Sequence, residues 1–162
     1  MTSRSAVITG LCCALSTIFV NVAVRVFFVD DATGSGDYLG SVTIGTADPI
    51  SYLKLVSITL IGPVVETILF AGLFFGIATT VPATRGERLC FAVVMGALGW
   101  LLHGAGWMSI SRGIGFAILG IFYAMWHVRV NWIRAFWATS LAHVTWNSSS
   151  LGIIFGLGLL RG

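Results

Sequence analysis

Apolar residues occupy this chain in five long blocks, separated by short polar or glycine-rich stretches. Blocks of this length and greasiness predict membrane-crossing helices. The first covers about residues 6–29, interrupted by Asn21 and Arg25. It is too long for a signal-peptide core, and no clear small-x-small cleavage site follows. It therefore predicts a retained helix, with Arg25 snorkelling to the far interface. A polar loop at about 30–49 follows, carrying Asp30, Asp31, Asp37 and Asp48. The second helix is predicted over about 51–79, kinked by Gly62-Pro63. A basic turn from Pro82 leads to a third helix over about 89–108. A turn at Ser111-Arg112-Gly113 opens a fourth over about 114–127. The fifth, about 133–160, is long enough to break near Asn147 and give a sixth segment.

Composition strengthens this reading. Of 162 residues, 57% are hydrophobic and only 9% charged, where a soluble domain carries roughly a quarter charged residues. Mean hydropathy is +0.96. The expected fold class is an all-α, polytopic transmembrane bundle of about five helices, or six if the last one breaks. It forms a single membrane domain over 1–162, with a core at about 51–160 and an extra N-terminal helix. The net charge of +3 does not mark a nucleic-acid binder, because the nine basic residues are single and scattered. They serve better as topology markers. A cytoplasmic N-terminus puts Arg4, Arg85, Arg88, Arg129 and Arg134 inside, and Lys54, Arg112 and Arg161 outside with the acidic loop. The compact chain suits a prokaryotic plasma membrane. Cys12, Cys13 and Cys90 lack metal-like spacing and read as small core residues.

Four polar residues stand out inside these blocks: Glu66, His103, His143 and Asn147. Ionisable groups in hydrocarbon cost several kcal/mol, so each is a functional-site candidate. The spacing puts Glu66 roughly 15–20 Å from either end of its segment, with His103 likewise well inside its own. His143 and Asn147 are four apart and share a helix face. Small residues flank His103 (Gly99, Gly104, Ala105, Gly106) and the last pair (Ala142, Ser148, Ser149), leaving room for water or substrate. A carboxylate with two imidazoles supports two chemistries. Glu66 can act as a general base on water with the histidines orienting it, or Glu66, His103 and His143 can ligate a divalent metal such as zinc. Asn147 can donate to a developing oxyanion. His127, beside Arg129 near the predicted inner interface, reads as structural, and Trp126 and Trp132 as belt aromatics.

These residues resemble the motifs of the CPBP family (CAAX proteases and bacteriocin-processing enzymes, also called Abi proteins), which are intramembrane glutamate- or metal-dependent proteases. The family's first motif, often read as EExxFRG, stands here as Glu66-Thr67-Ile68-Leu69-Phe70-Ala71-Gly72. Its second, an aromatic residue four before a His, falls on Gly99-Trp100-Leu101-Leu102-His103. The last, HxxxN, is matched by His143-Val144-Thr145-Trp146-Asn147, and Gly115 to Tyr123 resembles the Gly- and aromatic-rich helix before it. The resemblance spans about 61–149. It implies an intramembrane endopeptidase in which Glu66 activates water and His103 assists. His143 and Asn147 would bind water and stabilise the oxyanion, and the substrate would be a membrane-associated peptide or prenylated protein.

Three positions depart from the pattern: Thr67 replaces the second Glu, Ala71 the Arg, and Gly99 the usual Phe. The absent Glu and Arg would be four apart, a natural helical ion pair, so their joint loss strands no buried charge. The same departures support an alternative, a relative without catalysis acting as a membrane scaffold or immunity factor. A small proton-linked transporter and a subunit of a larger complex are further readings of buried Glu and His in a short membrane chain. Thr67 and Ser148 either hydrogen-bond the site or back-bond to their own helices.

Overall fold

A computed structural model describes residues 3–28, 56–78 and 84–159. The predicted acidic loop, Lys54, Pro82, Arg161 and the side chain of Arg25 lie outside the described residues. Within them the chain is all-helical. The helices are α1 (Ser3–Phe28), α2 (Gly62–Ala78), α3 (Arg85–Leu102), α4 (Ile110–Arg129) and α5 (Trp132–Leu159). A widened π turn, Ser57–Ile61, leads into α2, and a 3-10 turn, Trp107–Ser109, leads into α4. Among the described residues, two stretches are by length and composition able to cross a bilayer, Ser3–Val20 and Ser57–Phe75, with mean hydropathies of 1.5 and 2.0.

Local chemistry sets the helix boundaries. Thr84 and Glu87 form a capping box: Thr84 Oγ1 accepts from the Glu87 N–H at 3.3 Å, and Glu87 Oε2 accepts from the Thr84 N–H at 2.8 Å. The third helix therefore starts at Arg85, not near residue 89. It also ends earlier than expected. The Gly104 N–H donates to the Leu101 carbonyl and the Ala105 N–H to the Trp100 carbonyl, the paired bonds of a Schellman C-cap. Gly104 sits at φ +102°, where a side chain would be strained. The turn expected at Ser111-Arg112-Gly113 is thus at His103–Ser109 instead, and those three residues are helical. The last helix does not break: α5 is continuous through Asn147 and Gly152.

Contacts between α3 and α4 run antiparallel, with Gly99 against Phe116 and Gly120 against Met95. Consequently Arg85, Arg88 and Arg129 lie at one end of this pair, where α3 begins and α4 finishes. α1 packs on α4 and α5, with Gly10 against Ala142 and Cys13 near the Gly115 carbonyl. Only Cys13 is a core cysteine. Cys12 and Cys90 are exposed, contrary to the expectation for all three.

The centre of the bundle is aromatic. Phe74 meets Phe91 edge-on at 4.9 Å and Tyr123 at 5.5 Å, and Phe116, Trp146 and Leu119 are buried. His127 packs against Phe74 and Phe75 at 4.6 and 5.3 Å, as a structural residue would. Trp126 is buried rather than lying in an interfacial belt, whereas Trp132 is exposed. The exterior is strongly apolar: Phe19 is 75% exposed, Leu102 74%, Leu15 64% and Val93 62%.

Candidate functional site

Pro63 stands at the start of α2, just after the π turn. In the π turn before α2, the Gly62 N–H donates to the Ser57 carbonyl five residues back. The next donor in that ladder would be residue 63, and proline has none. The Ile58 carbonyl, left without that partner, accepts from Asn147 Nδ2 at 3.0 Å. Asn147 therefore ties α5 to the turn preceding α2, and one of its two N–H groups is engaged there rather than offered to an oxyanion. Replacing Asn147 with Leu should cost about 1 kcal/mol of stability, the net worth of one hydrogen bond. The cost should shrink in a Pro63→Ala background, where residue 63 regains an N–H for the carbonyl. Thermal unfolding of the four proteins in a double-mutant cycle measures the coupling, and strictly additive effects would refute the tie.

One turn earlier on α5, His143 meets Glu66. Its Nε2 lies 3.3 Å from Glu66 Oε2, with the His143 side chain 2% exposed and that of Glu66 35%. The two contacts, His143 to Glu66 and Asn147 to Ile58, run antiparallel along α5 and the π turn with α2. The imidazole is held on three sides by rings: Phe116 edge-on at 5.3 Å, Trp146 near-parallel at 5.3 Å and Phe70 parallel at 6.3 Å. So fixed, His143 orients the Glu66 carboxylate from behind. Thr67 takes no part, because its Oγ1 donates to the Pro63 carbonyl of its own helix at 2.7 Å.

The other side of Glu66 faces a partly open, apolar cavity of about 320 Å³. Glu66, Phe70, Gly99, His103 and Phe116 line it, so Glu66 and His103 share one wall-to-wall space while His143 and Asn147 stand outside it. His103 is not well inside its helix as expected but caps its C-terminus. Its Nδ1 lies 2.8 Å from the Gly99 carbonyl. A carbonyl only accepts, so Nδ1 carries the proton, and in the neutral ring Nε2 keeps its lone pair. The loop beneath is fastened by Ser109 Oγ, which donates to the His103 carbonyl, and by Trp100 Nε1, which donates to the Gly106 carbonyl at 3.0 Å.

Gly99, the departure from the aromatic-His motif, has a packing reason. A Cβ there would lie 2.4 Å from Phe116 Cδ2. Phe116, from α4, occupies that space and brings its ring 5.4 Å from His103. The aromatic neighbour of His103 is thus supplied from another helix.

Among the described residues, no three of His, Cys, Asp and Glu gather closely enough to hold a metal ion. Glu66, His103 and His143 therefore do not fit as a three-ligand zinc site, and the chemistry below is derived from side chains alone.

Sequence reasoning missed one contributor, Phe116, and misplaced one charge, Arg112. Phe116 was read as part of an aromatic helix rather than as the wall between both histidines. Arg112 was placed among outside loop charges, yet it is half-buried in the first turn of α4. A lone arginine opening an apolar run, four residues before Phe116, was the signal that could have found it.

No protein-family model, curated protein sequence or solved structure matches this chain. Its resemblance to CPBP proteases rests on the motif residues.

Proposed function

We propose that this protein is a polytopic intramembrane endopeptidase of the CPBP type, embedded with a cytoplasmic N-terminus in a prokaryotic plasma membrane and acting on a membrane-associated peptide or prenylated protein. The observation that carries this reading is the Glu66 carboxylate, backed by buried His143 at 3.3 Å and opening on a cavity that it shares with His103. The apolar exterior supports lipid contact on many sides.

In the proposed reaction Glu66 takes a proton from water as the water oxygen bonds to the scissile carbonyl carbon. The carbonyl π pair moves onto oxygen, giving a tetrahedral oxyanion. When that pair returns, the C–N bond breaks and the amine leaves with the proton held by Glu66. His143 keeps the carboxylate in place, and His103 offers a second polar contact to the water or the leaving group.

A second reading has its own support. Thr67 is turned into its helix and Ala71 is buried, so α2 supplies neither the second carboxylate nor the arginine of the motif. A non-catalytic membrane scaffold or immunity factor would need neither. The deciding experiment incubates purified protein in liposomes with a mixed peptide library, including prenylated peptides, and reads products by mass spectrometry. Defined cleavage sites are expected. Intact peptides throughout, with well-folded protein, would put the scaffold reading ahead.

A further inference from the structure

The cavity that Glu66 and His103 share is longer than those two side chains need. Glu66, Phe70 and Leu73 line it from one face of α2, and Met95, Gly99 and His103 from one face of α3. The two helices run antiparallel here. Phe74 meets Phe91 at 4.9 Å, whereas the Phe116 ring lies 5.1 Å from Phe70 and 5.4 Å from His103. Glu66 and His103 therefore stand at one end of a slot, and Leu73 and Met95 at the other. The seven residues from Glu66 to Leu73 make it about 10 Å long. Its inner wall is buried Phe70 and Phe116, and its outer rim carries Leu69 and Leu102, 61% and 74% exposed.

The slot is polar at one end only. Among the described residues that line it, Glu66 and His103 alone have polar side chains. Both present acceptors: the Glu66 carboxylate, and the His103 Nε2 lone pair left when Nδ1–H is given to the Gly99 carbonyl. A group bearing N–H matches that end, and a carbonyl oxygen does not. The rest of the slot rewards only apolar contact. Its volume, about 320 Å³, is at the small end of the roughly 300–1,000 Å³ of ligand pockets. That is room for one large side chain with its nitrogen.

We propose that this slot seats the substrate residue that supplies the leaving nitrogen. Its large apolar side chain, Leu, Met or Phe, runs toward Leu73 and Met95. Its nitrogen lies between Glu66 and His103, where the released amine, carrying the proton returned by Glu66, donates to both acceptors. Leu73 and Met95 set the length of side chain accepted. The inference rests on the protease reading for the origin of the amine, but product binding can be measured without turnover.

Calorimetry on the purified protein compares leucyl-alanyl-alanine amide, its N-acetyl derivative and alanyl-alanyl-alanine amide. Wild type should bind the leucyl peptide at least tenfold more tightly than either of the others, since charge-assisted hydrogen bonds are the strong ones and a single methylene in an apolar pocket is worth about 10–200-fold. Leu73→Trp, which fills the far end, should erase the preference for leucyl over alanyl. Leu73→Ala, which lengthens the slot, serves if the Trp variant does not fold, and should move the preference from leucyl toward a bulkier tryptophanyl peptide. Equal binding of the free and acetylated peptides, no preference for leucyl over alanyl, or a size preference untouched by both variants would overturn the proposal. In the liposome cleavage experiment, the products should begin with Leu, Met or Phe. New amino termini without apolar bias would overturn the slot assignment and leave the protease reading standing. Selective binding of the leucyl peptide by a wild type that cleaves nothing would keep the slot and remove the protease reading.

Discussion

Glu66→Gln should lower peptide turnover by about 10²–10⁴-fold, the range a positioned general base contributes, with folding unimpaired. The amide keeps the shape of the carboxylate and can still reach His143 Nε2 across the 3.3 Å contact. What it loses is the capacity to accept the proton of the attacking water. Stability should hold or rise slightly, since a carboxylate in apolar surroundings is a burden that one buried imidazole only partly offsets. KM should change little, because Glu66 is proposed to act on water and the substrate's contacts are with the surrounding apolar wall. Turnover above a tenth of wild type in this variant would remove Glu66 from the base role.

Gly99→Phe should be damaging even though it restores the aromatic residue that the resemblance leads one to expect. A Cβ at 99 would sit 2.4, 2.6 and 2.7 Å from Cδ2, Cγ and Cβ of Phe116. These are the rigid base of a ring, not the end of a flexible chain, so α3 and α4 must separate. Overpacking of this sort costs about 1–3 kcal/mol or more. Displacing Phe116 would also free the rings of His103 and His143 that it separates. The compensating double change, Gly99→Phe with Phe116→Gly, exchanges which helix supplies the ring and should recover much of the thermal midpoint. A single Gly99→Phe variant that melts like wild type would show that the close approach of α3 and α4 is not what excludes a side chain here.

The two substitutions mark where the sequence was legible. Long apolar runs identify helices, because 20-odd residues without charge have few other ways to satisfy their backbone. The polar residues inside those runs, Glu66, His103, His143 and Asn147, could be named from their cost alone. Helix ends were harder. Four polar atoms, those of the Thr84–Glu87 box, moved the start of α3, and one left-handed glycine moved its end, so His103 passed from mid-helix to cap. Periodicity carries neither signal.

The division of labour was illegible for a different reason. His143 and Asn147 share a face, but which groups they meet depends on how α5 packs on α2 and the turn before it, which brings Glu66 to one and the Ile58 carbonyl to the other. Gly99 and Phe116 are distant in sequence and compensate in space. Arg112 looks like a loop charge in the sequence because the turn is expected about six residues later than it falls.

The C-cap at His103 also sets a depth. α3 has 18 residues, which at about 1.5 Å of rise each span about 27 Å, close to the roughly 30 Å of a bilayer's hydrocarbon core. If α3 crosses the bilayer as the proposed reading requires, with Arg85 and Arg88 at one headgroup layer, the imidazole lies close to the opposite one. Substrate bonds would then be presented at the shallow edge of the membrane, where the hydrolytic water need travel only a few ångströms from bulk and a substrate helix need fray only at its end.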